Sequence, residues 1–222
     1  MRKLFCRAMK KILVISPHAD DEILGCYGYI SSEIKKGSKV HVVYGAVGGA
    51  DSKQVLDPRL DELTKVAEAV GFTWSIIAYN KDAEMDMMSD REIISYLDNT
   101  IKKIEPDEVF VNYPSRHQDH KKMYECTMAA MRLKEGFMPS FFALYEYPFI
   151  TGVEVPNGGC MYFDISDMID GKVQTFSLYQ SQVKTSPSPL NEDGIKALAR
   201  IRGIECGVKY AEMFYIQKMV VR

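Results

Sequence analysis

Four apolar runs of strand length, each followed by a stretch with helical spacing, fill the first 133 residues. The runs lie at 11–16, 40–44, 74–78 and 108–112. After the first, Ile23, Leu24, Tyr27, Ile30 and Ile34 share one helical face, ended by Gly37. Leu60, Leu63, Val66, Ala67 and Val70 make the second stripe, closed by Gly71. Ile93, Ile94, Leu97, Ile101 and Ile104 make the third, stopped by Pro106, and a fourth helix is expected from His120 to about Leu133. Strands that alternate with helices pair in parallel through right-handed crossovers. The expectation is an α/β fold, a Rossmann-like three-layer sandwich with a mostly parallel sheet, forming one domain over residues 1–222.

The last third is less regular. Residues 140–165 read as short strands broken by Pro148, Pro156, Gly158 and Gly159. A helix is expected over 167–179, a loop at 186–189, a second helix from Asn191 to about Cys206, and a strand over 210–220. Asn191 or Glu192 stands near the N-cap of that second helix.

In a parallel sheet, ligands collect beyond the carboxyl ends of the strands. Two of these ends carry unusual chemistry. Pro17-His18-Ala19-Asp20-Asp21-Glu22 follows the first run, and Arg116-His117-Gln118-Asp119-His120 follows the fourth. A catalytic zinc takes three protein ligands and keeps a position for water. His18, Asp21 and His120 fill that description, since His18 and Asp21 sit three apart across a strand-to-helix turn. Asp20 is then free to act as a base beside the metal. His117 is placed to donate to a developing oxyanion or a leaving amine. Asp119 is placed to hold an imidazole in the required tautomer. Two histidines and one carboxylate suit zinc or ferrous iron, or another divalent metal. The competing explanation of Asp20-Asp21 is an ordinary helix N-cap, and an HxxH at a helix start is often polar surface. His41 falls inside a strand and is expected to be structural. Met85-Asp86-Met87-Met88 is expected to pack over a pocket. Gly45-Ala46-Val47-Gly48-Gly49 lacks a phosphate-loop lysine and is expected on the pocket rim.

Composition removes other classes. Net charge is −2, and no basic stripe offers a nucleic-acid surface. The apolar run after Lys11 is far too short to span a membrane, and no signal-peptide cleavage region is apparent. Five scattered cysteines without a CxxC pair suit reduced thiols in a cytoplasmic protein. Met9 is an alternative start, which would leave the first eight residues as an extension.

The motif at 17–22 together with His117-Gln118-Asp119-His120 resembles the paired signature of the LmbE-like, or PIG-L, family of zinc-dependent N-acetylglucosaminyl deacetylases, whose motifs run [AP]HPDDE and HxDH. The resemblance extends to Arg59-Leu60-Asp61-Glu62 followed by Gly71, to Glu105-Pro106 before the fourth strand, and to Phe163-Asp164-Ile165-Ser166. It continues in Tyr179-Gln180-Ser181-Gln182, which is similar to the bacillithiol-type members, and in Tyr210-Ala211-Glu212-Met213-Phe214. The resemblance implies zinc on His18, Asp21 and His120, Asp20 as general base, and His117 on the tetrahedral intermediate with Asp119 as its orienting partner. It further implies a substrate-contacting role for Arg59, and a small N-acetylated sugar or conjugate cleaved to free amine and acetate. Members are often multimeric, so a homo-oligomer is open. Ala19 replaces the usual proline, and the glycine-rich loop lacks the family's usual glutamate. Two rivals stand beside this reading: a metal-dependent hydrolase acting on a different acyl group, and a noncatalytic Rossmann-like sugar- or nucleotide-binding module. Specificity is expected in the loops 45–57, 79–89 and 184–190.

Overall fold

A computed structural model describes residues 9–47, 58–78, 83–133, 136–148 and 158–221. Its elements run β1 (Lys11–Ser16), α1 (Asp21–Lys35), β2 (Lys39–Tyr44), α2 (Pro58–Val70), β3 (Thr73–Ile76), α3 (Asp90–Ile104), β4 (Glu108–Asn112), α4 (Gln118–Ala130), β5 (Phe141–Tyr145), β6 (Cys160–Asp164), α5 (Ile169–Phe176), α6 (Glu192–Cys206) and β7 (Ala211–Met219). They form one seven-stranded sheet in the order β3-β2-β1-β4-β5-β7-β6. The first five strands in that order are parallel. β7 runs antiparallel to both β5 and β6.

β1 shows why the sheet is covered on both faces. All but its first residue are buried, so its side chains feed two cores. Ile12 and Val14 join Ile23 of α1, Leu63 of α2, Ile169 of α5 and Ile195 of α6. Leu13 and Ile15 point the other way, into Ile93 and Leu97 of α3 and Met123 of α4. The three-layer arrangement follows.

The helix ends obey local chemistry. Ser89 caps α3 in a complete capping box with Glu92, and Asn191 caps α6 by accepting from the Gly194 amide at 3.0 Å. α4 begins two residues earlier than its sequence pattern suggests, because His117 caps it, and it ends at Ala130. α5 is shorter than 167–179. The C-terminal strand does not take an edge. It enters between β5 and β6, a placement that sequence periodicity cannot specify.

α1 is the helix that carries the first motif, and two of its glycines let neighbours approach. A Cβ on Gly25 would lie 2.1 Å from Tyr145 Cδ2 and 2.7 Å from the Glu146 carbonyl; one on Gly28 would lie 2.2 Å from Ile165 Cγ2. Beside Gly28, the buried Glu212 carboxylate of β7 accepts from the amides of Gly28 and Tyr29 at 2.9 and 3.1 Å, and pairs with buried Lys172 at 2.9 Å. Gly25→Ala is expected to destabilise the fold by about 3 kcal/mol through overpacking. For a chain of this size that is a fall of roughly 6–12 °C in Tm. A thermal melt checks it, and an unchanged Tm would mean that α1 sits less tightly on β5.

Candidate active site

β1 lies between β2 and β4, so the direction of winding reverses there. The turns after β1 and β4 therefore stand side by side at the carboxyl edge of the sheet, the placement in which α/β sheets bind ligands. His18, Asp20 and Asp21 come from the first turn, and His117, Asp119 and His120 from the second. One ligand atom from each of His18, His117 and His120 lies within 4.8 Å of the others.

Asp21 sits between two of these rings. Its Oδ2 is 3.2 Å from His120 Nε2 and 3.6 Å from His18 Nδ1, and it accepts from the His18 amide at 3.2 Å. Burial alone would raise its pKa. The charge and hydrogen bond of His120, with the contributions of His18, overcome that and hold the carboxyl well below the usual range.

Asp119 is fully buried, and its carboxylate accepts three N–H groups: His18 Nε2 at 2.8 Å, the Ala83 amide at 2.6 Å and the Met85 amide at 3.2 Å. Burial acts to raise its pKa too, but these donors, His18 foremost, lower it. The imidazole that Asp119 holds is thus His18. Toward His117 it offers only its backbone N–H, which donates to Nδ1 at 3.3 Å. The pairing of the Asp119 carboxylate with His117 expected from the family resemblance is absent, because the α4 turn aims that carboxylate back at β1.

With Nε2 on the Asp119 carboxylate, the His18 ring turns Nδ1 toward the Asp21 carboxylate, 3.6 Å away in a buried site. The donor set of two imidazoles and one carboxylate fits zinc or ferrous iron. His117, with Nδ1 accepting as the α4 cap, carries its proton on Nε2. Burial of the ring and the neighbouring His18 and His120 lower its pKa.

Asp20 occupies the N-cap position of α1 but makes no capping hydrogen bond. The ordinary N-cap explanation of the aspartate pair therefore does not account for its side chain, which lines a cavity instead. Its backbone holds φ 146° and ψ −33°, a conformation that costs a non-glycine residue about 1–3 kcal/mol. Burial and the adjacent Asp21 push its pKa well above the usual carboxylate value, while Arg59 and His18 pull it down. Arg59, buried on α2, lines the same cavity.

The cavity measures about 400 Å³, within the range of small-molecule sites. It also takes in Leu190, and Ser115, Tyr147 and Gln182, the last three of which sequence reasoning gave no role. Tyr147 stacks on His120 with ring centroids 4.4 Å apart, and burial raises its pKa to about 12. It follows β5 as His18 follows β1, so strand-end position was the available signal. Leu190 belongs to the expected specificity loop 184–190. Residues 48–57 and 79–82 of the other two loops lie outside the described residues. Gly45 is not on the rim: a Cβ there would meet the sulfur of fully buried Met85 at 2.5 Å, and Ala46 and Val47 are buried. His41 bonds Thr73 and Ser75 at 2.9 and 3.0 Å, far from these groups. Among the described residues, no helix is long and apolar enough to cross a membrane.

Residues 13–131, which include all seven candidate residues, match the family described as PIG-L: GlcNAc-PI de-N-acetylase. An Escherichia coli (strain K12) protein named "Uncharacterized deacetylase YaiS" is 28% identical over 129 residues, 55% of this chain and 69% of that protein. The crystal structure of a conserved protein from Thermus thermophilus superposes with a TM-score of 0.78 at 24% identity, covering 96% of this chain and 97% of that one. The N,N'-diacetylchitobiose deacetylase of Pyrococcus horikoshii superposes with a TM-score of 0.74 at 25% identity, covering 94% and 84%.

Proposed function

The chain belongs to the PIG-L family, and from that premise we propose that it is a metal-dependent N-deacetylase acting on an N-acetylglucosamine-type sugar or conjugate. The observation that carries the reading is the Asp20 carboxylate, left uncapped beside a complete ligand set and turned into the cavity. A binding module has no use for a strained, buried carboxylate with raised proton affinity. A hydrolase needs one.

His18, Asp21 and His120 are the residues that would hold the ion, zinc foremost. When bound, such a cation acidifies water and polarises the acyl carbonyl. Asp20 takes the proton of the attacking water. His117 Nε2–H donates to the oxygen that gains charge as the amide carbon becomes tetrahedral. The proton stored on Asp20 then passes to the departing nitrogen, so water and amide become acetate and free amine. Asp119 holds the His18 ring at Nε2, so that Nδ1 would be the atom offered to the ion. Arg59 lies beside Asp20, placed to contact substrate and to limit how far the Asp20 pKa rises.

An amine-release assay over N-acetylglucosamine, N,N'-diacetylchitobiose, a nucleotide-activated N-acetylglucosamine and a thiol-precursor conjugate tests this. At least one should yield stoichiometric acetate and amine, and a chelator should reduce the rate to background, restored by zinc or ferrous iron. Release of no amine from any of them by metal-loaded protein would refute the reading.

A further inference from the structure

Behind the strained Asp20 backbone stands a group that the chemistry above does not use. Glu22 has no solvent exposure, yet both its oxygens are engaged. Oε2 accepts from the Asp20 amide at 3.0 Å, and Oε1 accepts from the Tyr179 hydroxyl at 2.6 Å. The Asp20 carbonyl accepts from the amides of Ile23 and Leu24 at 3.1 and 3.0 Å. Helix α1 thus holds one side of the residue and Glu22 the other, in a conformation that L-residues rarely adopt.

Tyr179 is itself fully buried and comes from the turn after α5, outside residues 13–131. Two residues on, Ser181 donates to Glu62 of α2 through its amide at 2.9 Å and its hydroxyl at 2.7 Å. Glu62 lies one helical turn from Arg59. Gln182 then reaches the cavity wall. One short segment therefore touches Glu22, which bonds the Asp20 amide, and Glu62, one turn along α2 from Arg59.

We propose that Glu22 and Tyr179 are positioning residues that hold the Asp20 backbone in its strained conformation, so that a turn in the C-terminal third aims the base in the first motif. This rests on Asp20 being the base, as argued above. Misplacement by about an ångström can cost about a hundredfold in rate, so loss of one hydroxyl in the brace should be felt in kcat.

The test uses Tyr179→Phe, Glu22→Ala and Glu22→Gln, with Tyr29→Phe as a control. The Tyr29 hydroxyl donates to Glu108 at 2.6 Å, at the opposite end of the sheet. With whichever sugar the wild type cleaves, Tyr179→Phe should lower kcat about tenfold and Glu22→Ala further, at unchanged KM and metal content. Glu22→Gln should keep most of the rate, since its amide oxygen can accept from Asp20 while its NH2 donates to Tyr179. The control should be unaffected. A folded Tyr179→Phe with wild-type kcat would overturn the proposal, as would loss of metal along with rate. If the wild type cleaves none of the sugars, the base assignment falls separately, and a crystal structure still decides the brace. In Glu22→Ala, or Glu22→Met should the alanine variant not fold, Asp20 should leave positive φ; retention of φ near 146° overturns it.

Discussion

Asp20→Asn is expected to lower kcat by about 10²–10⁴-fold while leaving the metal bound, the range over which a positioned base contributes. The substitution keeps size and shape and removes only the ability to take a proton. Two features make the expectation large. The carboxylate has no structural duty as a cap, so the variant should fold. Burial and the neighbouring Asp21 raise its proton affinity above that of an ordinary carboxylate, which suits a base working near neutrality. Steady-state rates on the cleaved sugar, alongside metal content per chain, check both halves. A variant as fast as wild type would remove Asp20 from the chemistry, and one that lost its metal would move it into the ligand set.

Asp119→Asn should weaken metal affinity about 10–100-fold, the usual effect of removing a partner that orients a histidine ligand. Asparagine cannot replace the carboxylate here. Oδ2 accepts from both His18 and Ala83, and Oδ1 accepts from Met85. An amide offers one oxygen, so its NH2 must face an N–H on one side or the other. Either His18 loses the contact that sets its tautomer, or the 83–85 backbone is pushed away. Titration of the apo protein with zinc in the presence of a competing chelator measures the change. Unaltered affinity would show that His18 keeps its orientation without this carboxylate.

Much of this site is readable along the chain because its parts are local. His18 and Asp21 share one turn, His117 and His120 another, and the β-α alternation predicts that both turns lie at the same edge of the sheet. Asp20 and Asp21 are adjacent, and the fold separates their surroundings: the Asp21 carboxylate lies between two imidazoles, and Asp20 lines the cavity. Asp119 illustrates the limit. Its neighbours in sequence suggest His117 as the partner, but the pitch of α4 directs it across to β1. Tyr179 meets Glu22 from a segment far away in sequence, for which periodicity carries no signal, although Glu22 itself stands in the first motif. The insertion of β7 between β5 and β6 is hidden for the same reason.

That insertion has a consequence for the order in which the protein is made. β6 leaves the ribosome well before β7, but among the described strands it pairs only with β7. Until β7 arrives, β5 presents an open edge and β6 has no partner, the kind of exposed strand that invites wrong pairing during synthesis. Glu212 travels on that same late strand and supplies acceptors for two amides in the middle of α1. The helix that carries Asp21 is translated well before β7, yet two of its amides meet their Glu212 acceptor only once β7 has docked.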